Sequence, residues 1–159
     1  MADALYMHGT CVASGARAVL IRGPSGSGKS DLAFRLIRED VSGETRLVAD
    51  DQVAFYLEEG RLLASAPAPL TGLLELRGLG LVAMPTVASA PLALLVDLLP
   101  RGEVPRLPEP RFEDILGNRL PLLALHAFDV TAALKLRLAL EVLPDSGFPG
   151  EDGRFGPGS

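Results

Sequence analysis

Apolar and polar positions alternate along most of this chain in short runs, and only two stretches shift to a helical period. Leu5 to Ala13 and Ala16 to Ile21 are β-prone and separated around Ser14-Gly15, which predicts a hairpin. Asp31 to Arg38 then places Leu32, Ala33, Leu36 and Ile37 on one helical face, with Arg35, Arg38 and Glu39 left to water. Leu47-Val48-Ala49 is a short buried strand ending in Asp50-Asp51. Val53 to Leu57 and Arg61 to Ala64 flank Glu58-Glu59-Gly60, a second hairpin. Leu92 to Leu99 is the most apolar strand candidate, interrupted by Asp97, and Leu120 to Leu125 is a second core strand. Pro100 to Pro110 holds four prolines and predicts an exposed excursion. Asp129 to Leu143 carries apolar residues at Val130, Ala133, Leu134, Leu138 and Val142, which predicts a last helix with Asp129 as its N-cap. The glycine-rich residues from Asp145 onward predict a disordered tail, so the chain divides into one domain over 1–144 and a tail over 145–159.

Between the strand Ala18-Val19-Leu20-Ile21 and the first helix lies Gly23-Pro24-Ser25-Gly26-Ser27-Gly28-Lys29-Ser30, a complete phosphate-binding loop. Its glycines let the backbone turn tightly, so that successive N–H groups face phosphate oxygens at a helix N-terminus. Lys29 is placed to reach the β- and γ-phosphates of a nucleotide, and the Ser30 hydroxyl to ligate Mg²⁺. Strand, loop and helix stand in the order this chemistry requires.

Composition narrows the class further. With 159 residues and 48% hydrophobic side chains the chain suits one globular domain, and no apolar stretch approaches a membrane span. The N-terminus does not resemble a secretory signal, so a cytoplasmic location is expected. Cys11, the single cysteine, cannot form an internal disulfide and reads as a small apolar strand residue. Net charge is −5 and no window gathers arginine or lysine into a stripe, which argues against nucleic acid as a partner. Only Lys29 and Lys135 are lysines, so a catalytic lysine has few alternatives to Lys29.

A phosphate loop needs a carboxylate across the site to hold Mg²⁺ or its waters, commonly at the end of a neighbouring strand. Asp50 and Asp51 supply two, one for metal and one for proton transfer, with capping of the following turn as the alternative for either. Glu75 and Arg77 stand alone in the apolar, glycine-punctuated Leu74 to Gly80. Glu75 suits a second metal contact; a surface pair with Arg77 is the alternative. On spacing alone His8 and His126 each read as structural more readily than as catalytic.

Taken together, His8-Gly9, Gly23 to Asp31, Leu47 to Asp51 and Leu74 to Gly80 occur in the order seen in HPr kinase/phosphorylase, and the chain resembles that family's catalytic domain over most of residues 5 to 98. The resemblance implies an α/β phosphate-loop domain, a parallel-sheet variant related to phosphoenolpyruvate carboxykinase. It implies ATP with Mg²⁺, pyrophosphate being the alternative donor, and a serine of the phosphocarrier HPr or a similar carrier as acceptor. Lys29 matches the catalytic lysine, Ser30 a metal ligand, Asp51 the proton acceptor, Asp50 a metal-assisting aspartate, Glu75 a metal-binding acid and His8 the active-site histidine. Homo-oligomers, often hexamers, and phosphorolysis of the phosphoserine belong to the same resemblance. Family members also carry an N-terminal domain, so this chain looks like a short, catalytic-domain-only form.

One departure bears on turnover. Where the family has an arginine-containing signature before the last helix, this chain reads Leu120 to Phe128 without arginine; Arg77, Arg111 and Arg119 are the candidates to substitute. A nucleotide-binding regulatory module without phosphotransfer is therefore the competing reading. A GTPase is a weaker one, since no guanine-reading motif appears, and a small-metabolite kinase stays open.

Overall fold

The computed structural model describes residues 4–67 and 72–156. Its strands are β1 (Leu5–His8), β2 (Thr10–Ser14), β3 (Arg17–Arg22), β4 (Thr45–Ala49), β5 (Gln52–Glu58), β6 (Arg61–Ser65), β7 (Leu73–Leu76), β8 (Gly80–Ala83), β9 (Ser89–Leu98), β10 (Phe112–Ile115) and β11 (Asn118–Leu125). Its α-helices are α1 (Lys29–Arg38) and α2 (Ala132–Ser146). Nine strands make one sheet whose main path runs β1-β5-β6-β9-β3-β2-β4, while β7 and β8 form a separate hairpin.

Strand β9 is where the sheet forks. It pairs antiparallel with β6 through Ser89–Pro91, and parallel with β3 through Leu92–Asp97 and β11 through Leu95–Leu98. The parallel character expected of the sheet is thus confined to β3, β9 and β11: β2–β3, β5–β6 and β10–β11 are antiparallel hairpins, and β1–β5, β2–β4 and β6–β9 pair antiparallel between strands that are not consecutive. Two-residue periodicity splits β2 and β3 between two cores. Val12, Val19 and Ile21 meet the helices on one face, and Cys11, Ala13, Ala18 and Leu20 meet Val48, Phe55 and Leu62 on the other. Burial pushes the Cys11 thiol well above its usual range, which keeps it protonated, as expected of a core residue.

Several predicted elements shift at their boundaries. Leu5 to Ala13 is two strands, because the chain turns at Gly9 so that β1 can leave β2 and pair with β5. The turn at Glu59-Gly60 joins β5 to β6 with positive φ at both residues, the geometry that matches the twist of paired strands. Helix α1 begins at Lys29, so the last residues of the loop form its first turn. Asp129 is not the cap of α2, which starts at Ala132 after Thr131. Its carboxylate is taken by Arg101 Nε at 2.7 Å, and its carbonyl by the Ala132 N–H. Arg35, expected in water, reaches across to the carbonyls of Ala127 and Asp129. Helix α2 runs past Asp145 to Ser146, and Phe148 and Phe155 pack partly buried against the core; residues 157–159 of the expected tail lie outside the described residues. Among the described residues no helix is long and apolar enough to cross a membrane.

Candidate active site

Three strand ends converge. Strands β3 and β4 both run antiparallel to β2, so they run parallel to each other and finish on one edge of the sheet. Ile21 lies opposite Thr10, and Cys11 opposite Ala49. The root of the phosphate loop, the start of β2 and the Asp50-Asp51 pair therefore follow one line across the sheet, spanning about 10 Å at two strand spacings. Ligands of open α/β sheets bind at this carboxyl edge.

The loop itself is built for close approach. Gly26 and Gly28 have φ of 83° and 102°, values that a side chain rarely adopts. A Cβ on Gly28 would lie 2.6 Å from Ala127 Cβ and 3.0 Å from Phe128 Cζ, so the turn after β11 is packed directly against the loop. At Gly23 a Cβ would collide with Ser27 Oγ, a buried hydroxyl without a hydrogen-bond partner. Lys29 Nζ donates to the carbonyls of Gly23 and Pro24 at 2.7 and 3.1 Å, which folds the ammonium back over the loop. Ser30 stands in the first turn of α1, while Pro24, Ser25 and Gly26 are exposed.

Across from the loop, His8, Gly9 and Thr10 lie alongside Asp50 and Asp51. Thr10 Oγ1 donates to Asp50 Oδ1 at 2.9 Å, the Gly9 N–H donates to the Asp51 carbonyl at 3.1 Å, and His8 Nδ1 is 3.5 Å from Asp51 Oδ1. Gly9 lies too close to β3 for a side chain: a Cβ there would sit 2.7 Å from the Ile21 carbonyl oxygen. Asp51 has φ 70°, and the Gln52 N–H donates to the Asp50 carbonyl at 2.9 Å, so Asp51 is the centre of a γ-turn with left-handed backbone. Aspartate tolerates this conformation only at some cost. The turn leaves the Asp51 side chain 85% exposed.

The structure thus brings His8, Asp50 and Asp51 together on the same sheet edge as the loop. Glu75 sits on the separate β7–β8 hairpin, exposed, with Leu81 as its cross-strand neighbour. Its neighbours Leu74 and Leu76 pack in the core with Leu32 and Leu36 of α1, which ties the hairpin to the helix that follows the loop. No three His, Cys, Asp or Glu side chains among the described residues gather to hold a metal ion. Of the arginines weighed as substitutes, Arg119 lies over the Phe112 ring at 3.8 Å, and Arg77 is exposed in the turn between β7 and β8. Arg111, also exposed, offers its carbonyl to Leu122.

Three features carried no sequence signal. Arg101 pairs with Asp129, one residue beyond the Phe128 that touches Gly28, and its hydrogen bond holds the Asp129 carboxyl below the usual carboxylate range. Arg22, immediately before the loop, is clasped by Asp97 and Glu113 at 2.7 Å each, and its hydrogen bonds hold Glu113 low as well. Thr10 is the third.

Fold and site define a mixed α/β domain of the phosphate-loop kinase type. Residues 1–89 match the family described as the HPr Serine kinase C-terminal domain, and the chain belongs to that family. A relative from Clostridium tetani named HPr kinase/phosphorylase is 40% identical over 87 residues, and one from Listeria monocytogenes serotype 4a is 42% identical over 91. These matches take in 55% and 57% of this chain but 27% and 28% of the relatives, so the similarity spans little more than a quarter of their length. The structure of the Hpr(Ser) kinase/phosphatase from Coxiella burnetii superposes with a TM-score of 0.69 and 26% identity, over 86% of this chain and 93% of that one.

Proposed function

We propose that the chain transfers the γ-phosphoryl group of ATP to a serine of HPr or a similar small carrier protein. The observation that carries this reading is the placement of an exposed, backbone-strained Asp51 on the same sheet edge as an intact phosphate loop. The residues suit Mg²⁺ with a nucleotide. Gly26 and Gly28 hold the loop in a positive-φ backbone that a side chain would strain, and the Ser30 hydroxyl with the Asp50 carboxylate offers the hard oxygens that Mg²⁺ takes beside phosphate and water. When bound, Mg²⁺ neutralises charge on the transferring group.

The chain's own groups do the rest. Lys29 exchanges the Gly23 and Pro24 carbonyls for phosphate oxygens, so its hydrogen bonds are kept while its charge moves onto the nucleotide. Asp51 accepts the serine hydroxyl proton as the serine oxygen bonds to phosphorus and the bond to the β-phosphate oxygen breaks. His8 beside it orients the carboxylate. Phosphorolysis would return that proton from Asp51 to the departing serine.

The test is incubation of the protein with labelled ATP, Mg²⁺ and the HPr of the same cell, followed by phosphosite mapping. Label on a serine is expected. The absence of arginine from Leu120 to Phe128 favours a second reading, a nucleotide-binding regulatory module, and tight ATP binding without transfer to any carrier would establish that reading instead.

A further inference from the structure

We propose that Thr10 is a positioning residue for Asp50, its hydroxyl fixing one carboxylate oxygen so that the other is presented to a divalent cation. The inference rests on the metal role assigned to Asp50 above. Thr10 and Thr45 are the two buried polar side chains among the described residues, and each donates to an aspartate. Thr10 is 1% exposed at the first position of β2, between Ile21 at the loop root and the end of β4. Its hydroxyl reaches Asp50 Oδ1 at 2.9 Å across a separation of 40 residues. Asp50 is held at its backbone as well, by the Gln52 N–H on its carbonyl.

A hydroxyl removed from water needs a partner, and an ionised carboxylate can only accept. The Thr10 proton is therefore committed to Oδ1, which stops the carboxylate from turning and leaves Oδ2 as the oxygen open to a cation. Outer groups of this kind orient metal ligands, and losing one commonly costs about 10–100-fold in metal affinity. A valine has the same shape as threonine and suits a β-strand core position, so it removes the hydroxyl with little change in packing.

The experiment is a Mg²⁺ titration of ATP-analogue binding, followed by calorimetry on the full chain. Thr10→Val should raise the Mg²⁺ needed for half-maximal binding by about 10-fold or more. Metal-free analogue binding should not change, Thr10→Ser should restore the wild-type titration, and Thr10→Val should add nothing to Asp50→Asn. A wild-type titration for Thr10→Val, with Asp50→Asn shifted, overturns the role of Thr10 alone, as does a Thr10→Ser variant as impaired as Thr10→Val. A wild-type titration for Asp50→Asn overturns the metal role of Asp50 and this inference with it. Should Thr10→Val fail to fold, Thr10→Ala carries the same comparison.

Discussion

Asp40 and Asp51 each lie just beyond a regular element, eleven positions apart, and the fold treats them in opposite ways. Asp40 receives hydrogen bonds from the Ser42 N–H and hydroxyl and from the Thr45 N–H and hydroxyl, at 2.6 to 2.9 Å, with Arg137 3.9 Å away. Its side chain is 11% exposed. Asp51 has one loose neighbour, His8, and a backbone that its own type disfavours. A carboxylate whose lone pairs are all used can hold a loop but cannot take a proton from a substrate. A carboxylate left open on a strained turn contributes little to holding the fold together and is free to react.

Replacing Asp51 tests the reactive side of this contrast most strongly. Asp51→Asn keeps size and polarity but removes the basic oxygen, so serine phosphorylation should fall by about 10²- to 10⁴-fold while nucleotide affinity survives. Rapid-quench transfer assays beside calorimetry separate the two quantities. Transfer at the wild-type rate would remove Asp51 from the mechanism.

The structural side is tested at Asp40. Asp40→Asn leaves buried donors short of acceptors and should cost about 1–3 kcal/mol of stability in urea melts, with nucleotide affinity unchanged. Its pH dependence follows from the hydrogen bonds of Ser42 and Thr45, which hold the Asp40 carboxyl below the usual carboxylate range. A lowered folded value means that the unfolded chain binds the proton more readily, so the stabilisation is complete above the unfolded value of about 3.9 and is lost as pH falls below it. Asp40→Asn should flatten that acid limb. An unchanged limb would show that the network around Thr45 does not depend on the charge.

How legible these two sites are in the sequence depends on the range of the interactions. Gly23 to Ser30, between a strand and a helix, and Asp50-Asp51, between two strands, could be singled out because each is a run of contiguous residues. The β5–β6 hairpin could be read for the same local reason. Thr10 could not, since its partner is 40 residues away and a lone threonine in a strand signals nothing but β-propensity. The pairing of Arg101 with Asp129 was equally silent. Asp129 looked like a cap because aspartate favours that position, but packing of Ala127 and Phe128 on Gly28 fixes the chain there and moves the helix start to Ala132. Parallel pairing was overestimated because strands distant in sequence, β1 with β5, β2 with β4 and β6 with β9, also pair antiparallel, which appears only when strand order is known.

The smallest expected effect is the most pointed, because it asks whether the strain at Asp51 exists. Glycine adopts φ near 70° without the Cβ penalty that an aspartate bears, and at this position it also removes one of two adjacent negative charges. Against this stand the greater freedom of glycine in the unfolded chain and the loss of an exposed contact with His8, which is worth little. The balance should favour Asp51→Gly by up to about 1 kcal/mol, a rise in Tm of about 2–4 °C for a chain of this size, while phosphotransfer disappears. Such a variant would be more stable than the wild type and inactive, the signature of a residue kept for chemistry at the expense of the fold. If Asp51→Gly melts lower, the left-handed turn carries no strain worth relieving, and the difference between Asp40 and Asp51 reduces to their hydrogen bonds.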